Sequence, residues 1–245
     1  MHSLRDGYQV ALFGASGGLG AALLRALIED PRCERIHAGA RHELVPDASK
    51  VSPFTFDLQH EDSIAQAAEQ IQHASNTVDL MLVATGVLHG QHLQPEKTYR
   101  SLNGQALTHW FELNTIGPAL IAKHMLPMLP TSTRGIFAAV SAKVGSISDN
   151  RLGGWHGYRA SKAALNMLVK TFAIEIARRR PLALCVALHP GTVDTSLSKP
   201  FQSAVKPGQL THPDDAARHL LGVLDQAPVE QSGSLLAWNG AVITP

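Results

Sequence analysis

The sequence is poor in cysteine. Its 245 residues contain only two, Cys33 and Cys185, and neither belongs to a Cys-x-x-Cys pair. A framework of several disulfides is therefore excluded. Sparse, unpaired cysteine is typical of proteins from a reducing compartment, so we expect a cytoplasmic protein.

An excess of charge of one sign is lacking as well. Lys and Arg total 21 against 20 for Asp and Glu. This balance offers no general attraction for nucleic acid or for an anionic membrane. No stretch approaches the ~18 uninterrupted apolar residues of a membrane span. The opening residues, MHSLRDGYQV, lack the basic and apolar regions of a secretory signal. We expect neither a nucleic-acid partner nor a membrane partner.

Recognisable metal-binding motifs are also lacking. The chain has 13 histidines, but no His-Glu-x-x-His motif and no close His/Cys cluster. His89 and His92 lie in a loop that could border a substrate, and we interpret them as surface residues. We expect no metal site.

Short apolar runs alternate with helical patterns along the whole chain. The hydrophobic fraction of 44% suffices for a large core. We predict strands at 8–15, 35–41, 51–57, 79–85, 135–141, 182–189 and 235–238, and helices at 20–28, 61–72, about 105–129, 157–179 and 213–226. Strands that are apolar throughout and separated by helices predict a doubly wound, mostly parallel α/β sheet with helices on both faces. No linker or repeat interrupts the pattern, so we predict a single domain over 1–245.

A glycine motif closes the first predicted strand. Gly14, Gly18 and Gly20 are spaced G-x-x-x-G-x-G between a strand and a helix, with Ser16 and Leu19 among them. Glycine lets a pyrophosphate approach the backbone, and the helix N-terminus offers free N–H groups. A glycine-rich turn without a ligand is the alternative. Its position on the first strand–helix turn favours a dinucleotide cofactor.

A second motif, Tyr158-Arg159-Ala160-Ser161-Lys162, lies in a predicted helix. Residues four apart share a helix face, so the phenol and the ammonium can share a site. A tyrosine has an unperturbed pKa of about 10. A nearby positive charge lowers that pKa, which would make Tyr158 an acid or base near neutral pH. A surface Tyr–Lys pair is the alternative.

These motifs give the chain a resemblance to the short-chain dehydrogenase/reductase family, from about Tyr8 to the C-terminus. Further matches are Asp57-Leu58, Asn114 in FELNTIGP, Ser141, and Pro190-Gly191-Thr192. The stretch SAKVGSISDNRLGGWHGYRASKAALNMLVK, the following HPGTVDTSLSKP and the ending LLAWNGAVITP resemble the C-factor (sniffer-like) branch of that family.

The resemblance implies four catalytic residues. Tyr158 would donate a proton to the substrate oxygen while hydride arrives from the nicotinamide. Lys162 would hold the nicotinamide ribose and depress the tyrosine pKa, and Asn114 would anchor a water-mediated proton relay. Ser141 would be the catalytic serine. For Asn114, the alternative is a buried polar residue at a helix irregularity just before Gly117-Pro118.

The resemblance also implies cofactor contacts. Asp57 would bind the adenine amine, with Leu58 as a backbone neighbour, although a strand-end or capping aspartate is the alternative. Gly86 would allow close approach, and Thr192, with the backbone of Val193, would hold the carboxamide. Pro190 and Gly191 complete the expected set.

The sequence departs from the family pattern at several places. Phe13 replaces the usual threonine, and the segment 83–86 reads VATG where the family has two asparagines. Aligned on the following glycine, the usual serine falls at Ala142, one residue after Ser141. Successive strand residues point to opposite faces, so a bulge would have to re-aim Ser141, or Ser146 would serve instead.

The end of the second predicted strand bears on cofactor choice. It reads AGARH at 38–42, with no acidic residue before Glu43. An acidic residue there would accept the ribose hydroxyls of NAD, whereas an arginine suits a 2′-phosphate. Arg41 therefore favours NADP(H), and NAD(H) is possible. Gly17 stands at the family's second basic position, and Arg41 stacking on adenine is the alternative.

The expected activity is hydride transfer between a nicotinamide and a small-molecule carbonyl or alcohol substrate. Specificity should reside at 87–93, at 143–157 and in a substrate loop at about 192–210. A homodimer or homotetramer is expected through the helices at about 105–129 and 157–179. The alternative is a cofactor-binding signalling or regulatory protein with little turnover.

Overall fold

An eight-stranded sheet forms the centre of the molecule. The computed structural model describes residues 1–44, 48–90, 93–206 and 208–245. The strands are β1 (Tyr8–Phe13), β2 (Cys33–Ala40), β3 (Val51–Thr55), β4 (Leu80–Val83), β5 (Gly135–Val140), β6 (Ala183–His189), β7 (Thr192–Val193), β8 (Leu210–Thr211), β9 (Leu235–Ala237) and β10 (Val242–Ile243). The sheet order is β10-β9-β6-β5-β4-β1-β2-β3, and β7 pairs with β8 separately. Among the described strands of the large sheet, β9 and β10 pair antiparallel and the other pairs are parallel.

Helices cover both faces of this sheet. They are α1 (Gly18–Glu29), α2 (Glu61–Ala74), α3 (Gly104–Phe111), α4 (Gly117–Met125), α5 (His156–Ala177) and α6 (Pro213–Gln226). Side chains of β1 alternate between the faces: Ala11 and Phe13 pack in the cluster formed with α2, α4 and α5. Val10 and Leu12 pack in the cluster formed with α1 and α6. Because both faces are buried, the strand is apolar apart from Gln9, and the predicted doubly wound fold is confirmed.

The strand order places a crevice at one edge of the sheet. From β1 the chain moves outward to β2 and β3, and then returns to the other side of β1 to add β4, β5 and β6. The strand order reverses between β1 and β4. Ligands of open α/β sheets bind at such a switch point, beyond the carboxyl ends of the strands. The sequence motifs that follow the carboxyl ends of these strands therefore all lie at this edge of the sheet.

Three short strands were not predicted from the sequence, whereas the helix irregularity considered for Asn114 is observed. The strands β7, β8 and β10 have two residues each. The long helix at about 105–129 is observed as α3 and α4, joined by a π turn over Glu112–Ile116. None of the helices in the described ranges has both the length and the apolar character needed to cross a membrane.

Candidate active site

Two adjoining cavities lie beyond the carboxyl ends of the strands. The larger has a volume of about 510 Å³ and the smaller about 320 Å³. Both are lined by Gly17, Arg41, Ala84, Thr85 and Gly86, so they form one crevice across the switch point. Its length and position suit an extended ligand that crosses the glycine motif.

The glycine motif is closely packed where it turns from β1 into α1. Gly14 has a φ of 94°, in the left-handed region. A Cβ on Gly20 would lie 2.0 Å from the carbonyl oxygen of Gly14. Helix α1 follows Gly17, which makes no side-chain cap, and no acidic residue occupies its first turn. Free N–H groups at a helix N-terminus without a nearby carboxylate suit an anionic group such as a pyrophosphate.

Most of the predicted cofactor-binding residues line this crevice. The larger cavity is lined by Gly18, Leu19, Arg41, Gly86, Tyr158, Lys162, Pro190, Gly191, Thr192 and Val193. The smaller is lined by Gly14, Ser16, Arg41, Gly86, Asp57 and Leu58. Gly20 borders neither cavity, because it is buried beneath the turn. The structure thus brings the predicted residues together, and their individual contacts with a cofactor stay predictions.

The position of Asp57 is compatible with both roles considered from the sequence, a contact with the adenine amine and a capping role at the strand end. The residue lines the smaller cavity. One carboxylate oxygen accepts a hydrogen bond from the backbone N–H of Gln59 at 3.0 Å, which stabilises the turn after β3. A role in the turn therefore does not remove the residue from the cavity.

Thr85 has an unpartnered hydroxyl within the crevice. The sequence offered Thr85 only as a member of the VATG segment, in which Val83 and Ala84 replace the two asparagines of the family pattern. In the structure its Oγ1 is buried and has no hydrogen-bond partner among the described residues, and the residue lines both cavities. A buried hydroxyl without a partner is costly, so a ligand that hydrogen-bonds there would be stabilised.

Tyr158 and Lys162 lie on α5 and face the larger cavity. Both are almost fully buried, with 7% and 3% of their surface exposed. Burial raises the pKa of Tyr158 to about 12 and lowers the pKa of Lys162 to about 8. The lowering of the Tyr158 pKa expected from the sequence is not observed, because desolvation disfavours the charged form of each group.

Lys162 and Asn114 converge on Gly86. The Lys162 ammonium donates to the carbonyl oxygen of Val140 at 2.9 Å. Asn114 lies in the π turn, where its carboxamide accepts from the Val87 N–H at 2.8 Å and donates to the Val87 carbonyl at 2.9 Å. A Cβ on Gly86 would lie 3.4 Å from both Asn114 Oδ1 and Lys162 Nζ. Asn114 is therefore a buried polar residue at a helix irregularity, and it also lies close to the lysine.

The hydroxyl of Ser141, the predicted catalytic serine, is hydrogen-bonded to another side chain of the protein. Ser141 lines the larger cavity, but its hydroxyl donates to Asn166 Oδ1 at 2.7 Å. The neighbouring Ala142 packs against the apolar cluster that contains Tyr158. The alternative, Ser146, donates to the carbonyl oxygen of Thr244 and lines neither cavity. The catalytic role of Ser141 stays a prediction.

The structure adds site residues that the sequence did not single out. Thr195 lines the larger cavity, and a Cβ on Gly18 would lie 2.6 Å from its Cγ2. Thr192 and Thr195 both follow Pro190-Gly191, and spacing alone does not say which approaches the glycine motif. Trp155 and Phe201 also line this cavity. No local pattern brings them together, since they lie 46 positions apart in the sequence.

All three predicted specificity segments reach the larger cavity. Leu88 comes from the first, Val144 and Trp155 from the second, and Phe201 from the third. His89 borders this region, with its ring 5.7 Å from that of Phe201. His92, also considered from the sequence, and Pro207 of the predicted substrate loop lie outside the described residues.

The sheet order and the crevice at its switch point define a Rossmann-like α/β protein. The sequence model of the short chain dehydrogenase family matches residues 9–206. The chain belongs to this family of oxidoreductases, and the predicted resemblance is confirmed.

Individual relatives agree with the predicted branch. The C-signal protein of Myxococcus xanthus is 34% identical over 134 residues, which cover 54% of this chain and 75% of that protein. The NADPH-bound carbonyl reductase from chicken fatty liver has a TM-score of 0.83 at 24% identity and covers 99% of this chain and 100% of its own. The carbonyl reductase Sniffer of D. melanogaster has a TM-score of 0.83 at 21% identity and covers 98% of this chain and 100% of its own.

Proposed function

We propose that the protein is an NADP(H)-dependent oxidoreductase that interconverts a small carbonyl compound and its alcohol, with Tyr158 as the acid and base. One observation carries the proposal: Tyr158 and Lys162 are buried in the same cavity that Gly17, Gly18 and Leu19 of the glycine motif line. The chicken carbonyl reductase, whose structure contains NADPH, has the same fold and supports this assignment.

The residues of the crevice fit a nicotinamide dinucleotide. The turn from Gly14 to Gly18 and the start of α1 would hold the pyrophosphate, and Asp57 would bind the adenine end. Thr85 offers an unpartnered hydroxyl between the two cavities. When bound, the cofactor would supply or accept a hydride.

Tyr158 is suited to the acid role in carbonyl reduction. With a pKa of about 12 it is protonated at neutral pH. It would donate its phenolic proton to the carbonyl oxygen as hydride reaches the carbonyl carbon, which yields the alcohol and a phenolate. The Lys162 ammonium would stabilise that phenolate, and Asn114, close to Lys162, would support its reprotonation through solvent. The reverse oxidation would need the phenolate first, so neutral pH favours reduction.

The direct test is NADPH consumption with a broad panel of aldehydes and ketones at neutral pH. We expect turnover of part of the panel. NADPH binding without any turnover would contradict the proposed enzyme activity. It would favour the second candidate function, a cofactor-binding regulatory protein, for which the similarity to C-signal and the Ser141–Asn166 hydrogen bond are the supporting observations.

Arg41 should determine the preference for NADPH. It lines both cavities, and a guanidinium forms strong charge-assisted bonds to a phosphate. In Arg41→Ala we expect NADPH affinity to fall roughly ten- to a hundred-fold, with NADH affinity changed by less than about twofold. Titration calorimetry measures both affinities. Arg178→Ala, which removes an exposed cation away from both cavities, is the control. Equal losses for the two cofactors would contradict the assignment.

Lys162 should shape the pH dependence of reduction. Burial lowers its pKa to about 8, so the side chain is charged below that pH and neutral above it. If the ammonium is required, kcat/KM for reduction is highest below about pH 8 and then falls, approaching tenfold per pH unit. A profile from pH 6 to 10 measures this. A flat profile would contradict it, and in Lys162→Arg, which stays charged throughout, the residual activity should lack the decline.

Association of subunits is also part of the proposal. Helix α5 exposes Met167 and Ile174 to solvent. These apolar side chains support the expected homodimer or homotetramer through the helices at about 105–129, observed as α3 and α4, and 157–179, observed as α5.

A further inference from the structure

Trp155 adopts an unusual backbone conformation beside the proposed reacting group. Its φ is 53°, and it is the one non-glycine residue with a positive φ in the described ranges. It follows Gly153 and Gly154, whose φ values are 64° and 66°. A bulky side chain is disfavoured in this left-handed region, and such strain persists only where surrounding contacts enforce it.

Glu96 supplies several of those contacts. Its carbonyl oxygen accepts the Trp155 N–H at 2.5 Å. Its carboxylate, which is 5% exposed, accepts the Gly157 N–H at 3.2 and 3.4 Å. One residue from a separate loop therefore fixes both the strained tryptophan and the first turn of α5. Arg159 adds a hydrogen bond from its Nε to the Gly154 carbonyl at 3.0 Å.

This conformation places the indole in the larger cavity. The Trp155 ring lies 6.2 Å from the Tyr158 ring, at 72°. It also lies 4.9 Å from the ring of Phe201, in the substrate loop, at 61°. Both are edge-to-face geometries, which are favourable for aromatic pairs. The indole thus bridges the reacting tyrosine and the substrate loop.

The surroundings of these rings are apolar. Leu88, Val144 and Phe201 line the same part of the cavity as Trp155, and Ala142 packs in the same cluster as Tyr158. Among the described residues that line the larger cavity, the side chains that carry a charge are Arg41 and Lys162, both assigned to the cofactor or the reaction. In the described part of this lining, no residue offers a counter-charge for a substrate carboxylate or phosphate beside Trp155 and Phe201.

We propose that Trp155, held in its strained conformation by Glu96, determines specificity and selects carbonyl compounds that carry an uncharged aromatic ring. The proposal rests on the proposed reductase function. The substrate ring packs against the indole and Phe201, which leaves its carbonyl oxygen within the reach of Tyr158. Trp155 is the specificity-determining residue, and Glu96 is a positioning residue that acts through it.

The test compares two ketones of similar size, acetophenone and cyclohexyl methyl ketone, in the NADPH-supplemented protein. In Trp155→Leu we expect kcat/KM for acetophenone to fall roughly three- to ten-fold through KM, and the cyclohexyl ketone to change by less than about twofold. Trp155→Phe should retain the aryl preference. Leu152→Ala, in the same loop and 92% exposed, is the control. Equal losses for both ketones in Trp155→Leu would overturn the proposal.

Glu96 variants test the positioning role. Glu96→Ala should lose the aryl preference as Trp155→Leu does, and Glu96→Gln should largely restore it because an amide oxygen can accept the Gly157 N–H. A loss of turnover on both ketones with an unchanged ratio would mean that Glu96 serves only the fold, and would overturn its positioning role.

A measurement of ketone binding distinguishes failure of the reductase assignment from failure of the aromatic-site proposal. If wild type oxidises no NADPH with either ketone, saturation-transfer NMR reports whether each ketone binds the NADPH-supplemented protein. Preferential binding of acetophenone that Trp155→Leu abolishes would support the aromatic site and contradict only the reductase function. Equal binding of the two ketones, or none, would overturn the aromatic site as well.

Discussion

Replacing Tyr158 by phenylalanine is expected to lower carbonyl reduction by roughly 10²- to 10⁴-fold, the usual contribution of a positioned acid. The change removes only the hydroxyl. The ring still fills its place in the cluster with Leu88, Leu93 and Trp110. The fold and the affinity for NADPH should therefore be preserved, and kcat should carry most of the loss.

The measurement is steady-state NADPH oxidation with the best ketone of the panel, together with an NADPH titration of each protein. Tyr99→Phe is the matched control, because Tyr99 is 66% exposed and loses the same atom. The control should keep full activity. Undiminished turnover in Tyr158→Phe would show that another group, or solvent, supplies the proton, and the acid role of Tyr158 would be abandoned.

The sequence predicted the sheet well because the sheet is buried on both faces. A strand such as β1 is apolar at every position except Gln9, and such an apolar run before a glycine motif is easily recognised. The predicted helix at 213–226 matches α6, Pro213–Gln226, because its apolar side chains follow the helical period. Short strands such as β7 and β10 carry no such signal, since two residues define no period.

The candidate site was predictable where a motif depends on spacing within one element. Gly14 directly follows β1, and Gly18 and Gly20 lie in the first turn of α1. Tyr158 and Lys162 lie on one helix face, so local geometry brings each set together. The direction in which the Ser141 side chain points depends on the twist of β5 and on the path of the chain after it, which sequence spacing does not define. Its hydroxyl is paired with Asn166, a residue on a different element.

The pKa directions of Tyr158 and Lys162 and the backbone strain at Trp155 could not be predicted from the sequence, for a different reason. The expected effect of Lys162 on Tyr158 considered charge alone. The observed pKa directions of both groups follow from how completely the surrounding chain removes water. The left-handed conformation of Trp155 is likewise fixed by Glu96, 59 positions earlier in the sequence. Contacts of this kind appear only when the loops are assembled around the crevice.

Replacing Gly20 by alanine should destabilise the fold strongly, although it adds a single methyl group to a helix. The new Cβ would lie 2.0 Å from the carbonyl oxygen and 2.9 Å from the carbonyl carbon of Gly14. Both are backbone atoms of the turn, so no side chain can move aside. Either α1 shifts away from β1 or the turn distorts. We expect the free energy of unfolding to fall by about 3 kcal/mol or more.

For a chain of this length, that loss corresponds to a decrease of roughly 6–12 °C in Tm, measured by thermal unfolding. Gly222→Ala is the matched control, since Gly222 is also helical and a Cβ there would meet nothing within 4 Å. That control should be stabilised by about 0.5–1 kcal/mol, because alanine is the better helix former. Opposite signs of the two changes in unfolding free energy would distinguish the effect of packing in the glycine motif from the effect of helix propensity. A Tm for Gly20→Ala equal to that of wild type would mean that the turn tolerates a side chain, and the close approach of α1 to β1 would no longer explain the glycine at position 20.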